Sequence, residues 1–137
     1  MELKADAKLL RIFLGETDKA EHTALYEAIV REARRTGLAG ATVWRGVMGF
    51  GRTSRIRTAR ILDLSTDLPI IVEIADEEEK INQFLPVLHA LFEKSQCGGL
   101  ITIEKVKVIK YIHGKEKRTV QPGAADDAIN HMSPGVR

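Results

Sequence analysis

The chain has 137 residues, a usual length for one domain with its own core. A hydrophobic fraction of 44% argues against disorder, and a net charge of +2 is too small to indicate nucleic-acid binding by itself. The first residues lack the apolar segment of a secretory signal, and no apolar run is long enough to span a membrane. Because the single cysteine cannot form an intrachain disulfide, we expect a cytoplasmic protein.

The first elements predicted are a strand and an amphipathic helix. Residues 8–15 are apolar on both sides, which indicates a buried strand. Asp18 and Glu21 have the spacing of a capping box, and the residues after them form one apolar stripe at helical spacing. Gly37 follows two arginines and accepts the left-handed geometry that ends many helices. We therefore expect the first helix to begin after Asp18 and to end before Gly37.

A second strand, a loop and a third strand region follow. The alternation of residues 41–50 predicts a strand. Residues 49–60 are rich in glycine and arginine and show neither helical nor strand periodicity, so we expect a loop there. Strand character returns at residues 61–64 and again at residues 69–75.

A second helix and a last strand complete the predicted elements. Asp76 and Glu79 repeat the capping-box spacing ahead of an apolar stripe, and the glycines at 98–99 end this helix. Residues 100–112 indicate a long strand whose apolar residues change sides near Glu104. Because a shift of one residue exchanges the two faces of a strand, we expect the strand either to carry a bulge or to leave one sheet for another near Glu104 and Lys105.

The order of these elements predicts an α+β domain over residues 1–112. Strand, helix, two strands, helix and strand form the ferredoxin-like fold, a four-stranded antiparallel sheet with two helices on one face. Residues 113–137 are polar and aperiodic, and we expect an extended or mobile tail. The strands carry apolar residues on both faces, which favours a second subunit over the open face. The alternative is that the tail folds back over that face.

The sequence shows no pattern typical of a metal site or a catalytic centre. The histidines and Cys97 lack the spacing of zinc ligands, and His22 and His89 are expected on helices at the surface or the edge of the core. Acidic residues 76–79 fit the first turn of a helix, where carboxylates complement the dipole. Glu73 lies in an apolar strand and needs a partner if it is buried. We expect no catalytic residue, no metal and no cofactor.

Residues 46–54 are the one segment with the features of a binding site. Glycines at 46, 49 and 51 allow backbone N–H groups to face a ligand, and nearby arginines can bind phosphate oxygens. The spacing differs from both the P-loop and the dinucleotide fingerprint. The alternative is a hairpin hinge with a solvated basic loop.

The segment Gly49-Phe50-Gly51-Arg52 resembles the root of the T-loop in PII signal-transduction proteins. Over residues 8–112 the chain is also similar to the uncharacterised PII-like family of small proteins. The segments that carry this resemblance are Arg45-Gly46, Gly49-Phe50-Gly51, Asp67-Leu68-Pro69, Glu79-Lys80-Ile81 and Gly99-Leu100-Ile101-Thr102-Ile103-Glu104-Lys105-Val106.

The resemblance implies a homotrimer that binds an adenine nucleotide in the clefts between subunits. The residues that it assigns to this site are Arg45, Gly46, Gly49, Phe50, Gly51, Arg52, Ser54, Gly98 and Gly99. The lysine that follows the PII glycine turn is replaced by Leu100, and no tyrosine occurs between Arg52 and Arg60 to accept a nucleotidyl group. We therefore expect AMP or ADP as the ligand rather than ATP.

These observations favour a non-enzymatic regulatory protein that presents loop 51–60 to a protein target whose identity the sequence does not give. One alternative is a nucleic-acid-binding protein that uses the arginine-rich loop, although Phe50 is the only stacking aromatic residue there. Another is a metal-related trimer of the CutA type, which shares the fold but requires ligands that the sequence does not indicate.

Overall fold

The computed structural model of the protein describes residues 6–51, 54–59 and 67–114. The elements are, in chain order, β1 (Asp6–Gly15), β2 (Lys19–Ala20), β3 (Thr23–Ala24), α1 (Leu25–Arg35), β4 (Thr42–Arg45), β5 (Met48–Gly49), β6 (Arg57–Thr58), β7 (Pro69–Asp76), α2 (Glu78–Ser95) and β8 (Leu100–Lys107). The strand predicted at 61–64 and most of the tail predicted at 113–137 lie outside the described residues.

Four strands form an antiparallel sheet in the order β4-β7-β1-β8. The central strands β1 and β7 pair from Lys8 opposite Asp76 to Gly15 opposite Pro69. Both helices pack on one face of this sheet. The predicted ferredoxin-like α+β fold is confirmed. Within the described part of the chain, neither helix is long and apolar enough to cross a membrane.

The core lies between the sheet and the helices. Leu10 and Ile12 on β1 alternate with residues of the opposite face, as do Val72 and Ile74 on β7, and all four are fully buried. The helices contribute Leu25, Ile29, Ile81, Phe84 and Leu88. Burying one side chain of this size contributes about 1.5–3 kcal/mol, so this apolar layer dominates the stability of the fold.

Helix α1 begins at Leu25, which corrects the prediction that it begins after Asp18. The Asp18 carboxylate instead accepts a hydrogen bond from Gly15 N at 2.9 Å. The backbone carbonyl of Asp18 accepts another from Leu25 N at 2.8 Å. Because Asp18 closes the turn after β1, the intervening residues form the small β2–β3 hairpin, in which His22 is exposed. Gly37 has a φ of 85°, as expected after the end of a helix.

Helix α2 begins at Glu78, and Asp76 is the last residue of β7 rather than a helix cap. The Asp76 side chain is fully buried, and its carboxylate accepts hydrogen bonds from Ala39 N at 2.8 Å and Glu77 N at 2.7 Å. It therefore joins the loop after α1 to the end of the sheet. The helix ends at Ser95, before the predicted glycines, and its C-cap residue Gln96 is in the left-handed conformation.

Two strands are shorter than predicted. β4 ends at Arg45; after a last hydrogen bond from Gly46 N to Pro69 O on β7, at 2.7 Å, the chain enters the separate β5–β6 hairpin. β8 ends at Lys107 and pairs one to one with β1 over its whole length, so the bulge or change of sheet predicted near Glu104 and Lys105 is wrong. The apolar residues of β8 change sides because this edge strand carries apolar residues on both faces of the sheet. Ile101 packs against the core, whereas Val106 lies opposite Ala7 on the other face.

The face of the sheet opposite the helices is polar at its centre. Arg11 Nε donates to Glu73 Oε2 at 2.7 Å, and Arg11 Nη1 contacts Glu104. Trp44 Nε1 donates to the other oxygen of Glu73 at 2.5 Å. The hydrogen bond with Glu73 raises the pKa of Arg11. The partner that Glu73 requires is therefore Arg11. Apolar residues of this face are Leu9, Phe13, Ile71, Ala75 and Leu100. The second subunit expected over this face stays a prediction.

Candidate ligand-binding cleft

A cleft of about 650 Å³ lies at the end of β1, between the β5–β6 hairpin and the turn that joins α2 to β8. Phe13, Leu14 and Gly15 form its floor, and residues far apart in the sequence form its walls. The volume falls within the roughly 300–1,000 Å³ that is usual for sites of small molecules. The cleft is therefore large enough for a nucleotide-sized ligand.

One wall of the cleft is the glycine-rich hairpin. A Cβ atom added at Gly46 would lie 3.3 Å from the Pro69 ring, and one added at Gly49 would lie 3.1 Å from it, so both backbones pack closely against Pro69. A Cβ atom at Gly51 would meet nothing within 4 Å. Close packing thus explains Gly46 and Gly49, whereas the backbone at Gly51 lies beside open space.

The opposite wall is the turn between α2 and β8. A Cβ atom at Gly99 would lie 2.5 Å from the Phe92 ring and 2.9 Å from Phe13 O, so glycine is required there by packing. A Cβ atom at Gly98 would meet nothing within 4 Å. Gly98 and Gly51 therefore leave the two walls free of side chains on opposite sides of one cavity.

The structure brings most of the sequence-predicted site residues to this one cleft. Those that line it are Gly46, Gly49, Phe50, Gly51, Gly98 and Gly99. Arg45 does not line it, because its guanidinium pairs with Glu16 at 2.5 Å. Ser54 is exposed in the loop, has a φ of 60° and donates its backbone N–H to Gly51 O at 2.9 Å. Arg52 lies outside the described residues.

Sequence reasoning missed Arg57 as a residue of the cleft. Arg57 pairs with Gly49 in the β5–β6 ladder, which places it beside the glycine segment. Its Nη1 lies 3.4 Å from Asp67 Oδ1, and its Nη2 lies 4.0 Å from Asp18 Oδ1. The signal available in the sequence was the arginine run itself, but only the hairpin register selects this arginine from its neighbours.

A second depression, of about 630 Å³, lies beside the start of α2 and is lined by Asp6, Glu77, Glu78 and Glu79 with two amides. Carboxylates repel a phosphate group, so this depression does not suit a nucleotide. Within residues 6–51, 54–59 and 67–114, no group of three or more acidic, histidine or cysteine side chains is arranged to hold a metal ion.

The solved structures that share this architecture include two PII-like proteins. One is CPII, a nitrogen regulatory PII-like protein from Thiomonas intermedia K12 bound to ADP, AMP and bicarbonate, with a TM-score of 0.59, 22% identity, and coverage of 77% of this chain and 90% of that chain. The other is a proposed PII-like signalling protein from Thermus thermophilus, with a TM-score of 0.56, 23% identity, and coverage of 80% and 94%. The chain therefore has the fold of the PII-like proteins.

The family follows from the sequence comparisons. Residues 7–108 match the family DUF190, described as "Uncharacterized ACR, COG1993". A UPF0166 protein from Aquifex aeolicus (strain VF5) is 44% identical over 102 residues, which are 74% of this chain and 92% of that protein. The chain belongs to the DUF190 family, and the resemblance inferred from its short motifs is confirmed.

Proposed function

We propose that the protein is a PII-like regulatory protein that binds an adenine nucleotide in the cleft between the β5–β6 hairpin and the α2–β8 turn. The observation that carries this proposal is the meeting of two glycine segments, Gly49–Gly51 and Gly98–Gly99, across one cavity with an arginine beside them. Backbone amides without side-chain obstruction, together with a guanidinium, are suited to phosphate oxygens.

AMP or ADP is the ligand that we propose, rather than ATP. In support, the Thiomonas protein, which has a related fold, is bound to ADP and AMP in its solved structure. Leu100 stands directly after the glycine turn and lines the cleft, where a lysine would be suited to further phosphates. The apolar side chains of Phe13 and Ile71 at the same cleft offer a surface to an adenine ring.

The site is proposed to be completed by neighbouring subunits of a homotrimer. Large apolar side chains are exposed around the mouth of the cleft, including Met48 at 60%, Phe50 at 71% and Leu100 at 57%. Surfaces of this kind are typical of contacts with another chain. In this proposal the nucleotide changes how loop 51–60 meets a target protein in the cytoplasm, and the protein itself performs no catalysis.

The alternatives have less support. Arg45 pairs closely with Glu16, which reduces the positive charge that this segment offers to a nucleic acid. The described residues also contain no cluster suited to a metal ion, so a metal-related function has no site among them.

Filling the cleft at Gly98 tests the proposal. Thermal unfolding is measured for the full chain with AMP, ADP and ATP in turn. A ligand at one hundred times its dissociation constant stabilises the folded protein by about 2.7 kcal/mol. Gly98→Leu places a side chain in open space inside the cleft and should abolish this effect. Arg52→Ala should also reduce it if that side chain pairs with phosphate.

The matched control is Gly40→Leu, at an exposed glycine outside the cleft where a Cβ atom also meets nothing within 4 Å. It should leave the ligand response unchanged. A wild-type protein that does not respond to any of the three nucleotides would contradict the proposed function, as would a Gly98→Leu variant that responds like the wild type.

A further inference from the structure

Arg57 reaches the cleft over the backbone of Gly15. A Cβ atom at Gly15 would lie 1.5 Å from Arg57 Nη1 and 2.6 Å from its Cζ, so the guanidinium occupies the space that any other residue would fill. The register of the β5–β6 hairpin, with Arg57 opposite Gly49, directs the side chain to this place. The position of the guanidinium thus depends on a buried glycine in a different part of the chain.

Two carboxylates flank this guanidinium, and the backbone holds both of them independently of Arg57. Asp18 Oδ2 accepts a hydrogen bond from Gly15 N at 2.9 Å. Asp67 Oδ1 accepts one from Thr17 N at 3.3 Å. Because these bonds do not involve Arg57, both carboxylates can stay in place while the guanidinium turns towards a ligand.

The contacts between Arg57 and the carboxylates are loose. Their N···O distances of 3.4 and 4.0 Å exceed the roughly 2.9 Å that is usual for a hydrogen bond between charged groups. A guanidinium has five N–H donors in a planar fork that matches two phosphate oxygens. Arg57 is therefore oriented by attraction to Asp18 and Asp67 but still able to form close hydrogen bonds with an anion.

We propose that Arg57 contacts the phosphate of the bound nucleotide, and that Asp18 and Asp67 position it and select against ligands with additional phosphoryl groups. This inference rests on the proposed function of the cleft. The three side chains together carry one positive and two negative charges. Arg57 matches a single phosphate, whereas each further phosphoryl group meets the two nearby carboxylates and is repelled by them.

Binding of AMP and of adenosine to Arg57→Ala is the first test. Titration calorimetry should show about ten- to hundredfold weaker binding of AMP than in the wild type, because a charged hydrogen-bonded pair is lost. Ligand-observed NMR should show adenosine binding unchanged, because adenosine has no phosphate. Arg55→Ala removes the same charge from an exposed position in the same loop and should leave both ligands unaffected.

Gly15→Ala gives a second test that alters no charge. The added methyl group must displace the flexible end of Arg57, so AMP binding should weaken as in Arg57→Ala while adenosine binding is kept. Asp67→Asn retains an acceptor for Thr17 N and should improve the affinity for ATP relative to AMP by about three- to tenfold. Glu93→Gln, an exposed change outside the cleft, should not alter that ratio.

The outcomes separate this inference from the proposed function. If the wild type binds AMP and Arg57→Ala binds it equally well, Arg57 is not the phosphate contact, although the cleft remains a nucleotide site. An equal loss of AMP and adenosine in Arg57→Ala would assign Arg57 to the structure of the cleft and overturn the inference. A wild type that binds no adenosine phosphate overturns both.

Discussion

Arg11 and Arg57 each lie between two carboxylates, and they differ in how closely those carboxylates bind them. On the open face of the sheet, Arg11 Nε lies 2.7 Å from Glu73, and its Nη1 contacts Glu104. In the cleft, Arg57 lies 3.4 Å from Asp67 and 4.0 Å from Asp18. Trp44 also donates a hydrogen bond to Glu73, so the side chains around Arg11 form one network of hydrogen bonds.

The difference separates a structural ion pair from a group available to a ligand. Arg11 directs its Nε and Nη1 atoms at protein carboxylates and lies on β1, a central strand of the sheet. Arg57 lies on a two-residue strand beside a cavity, and the backbone holds its carboxylates separately. Replacing Arg11, whose contacts are close, should therefore lower the stability of the protein. Replacing Arg57, whose contacts are long, should mainly lower its affinity for a ligand.

The largest expected effect on stability is that of Arg11→Ala. Its removal leaves Glu73 on β7 and Glu104 on β8, the two strands that flank β1, without the cation that lies between them, and two carboxylates without a countercharge repel each other. Thermal unfolding without ligand should show a clear fall in Tm. Arg57→Ala should show a much smaller one, because its ion pairs are long. A larger fall in Tm for Arg57→Ala than for Arg11→Ala would contradict the claim that the ion pairs of Arg11 contribute more to stability.

Trp44→Phe should have a smaller effect. The change keeps an aromatic ring but removes the hydrogen bond from Trp44 Nε1 to Glu73, so we expect a loss of about 0.5–1 kcal/mol in the free energy of unfolding. Urea denaturation measures this value. In the Arg11→Ala background the same change should cost a different amount, since residues of one network are not additive. Equal costs in both backgrounds would show that the network is not coupled.

The smallest expected effect is that of pH on the Arg11 contribution. A raised pKa in the folded state gives stability that is present below the pKa of arginine in the unfolded chain and is lost only as pH rises through the higher pKa of the folded state. Arginine therefore stays protonated between about pH 6 and pH 9. The difference in Tm between the wild type and Arg11→Ala should not decrease over this range as a result of arginine losing its proton. A steady decline over this range would contradict the assigned charge state.

The sequence was sufficient to predict the sheet and both helices, because their apolar residues recur at the spacing of strands and helices. The start of α1 could not be predicted in this way. Asp18 has the residue type of a helix cap, but its carboxylate closes the turn after β1 instead. Local spacing does not show which of two nearby backbone N–H groups a carboxylate will bind.

The candidate cleft could be predicted in part. The glycines of the cleft could be identified because residues 46–51 and 98–99 are rich in glycine and interrupt the regular apolar spacing of the strands and helices around them. Arg57 was missed because its place depends on pairing with Gly49 and on the space above Gly15, which are contacts between distant residues. The pairing of Arg11 with Glu73, 62 residues later, is equally long-range.

A crystal structure of the full chain grown with AMP tests the central claim most directly. The account predicts nucleotide density between Gly49–Gly51 and Gly98–Gly99, with a phosphate oxygen within about 3 Å of the Arg57 guanidinium. Nucleotide bound elsewhere on the protein, or an empty cleft at a saturating concentration of AMP, would contradict it.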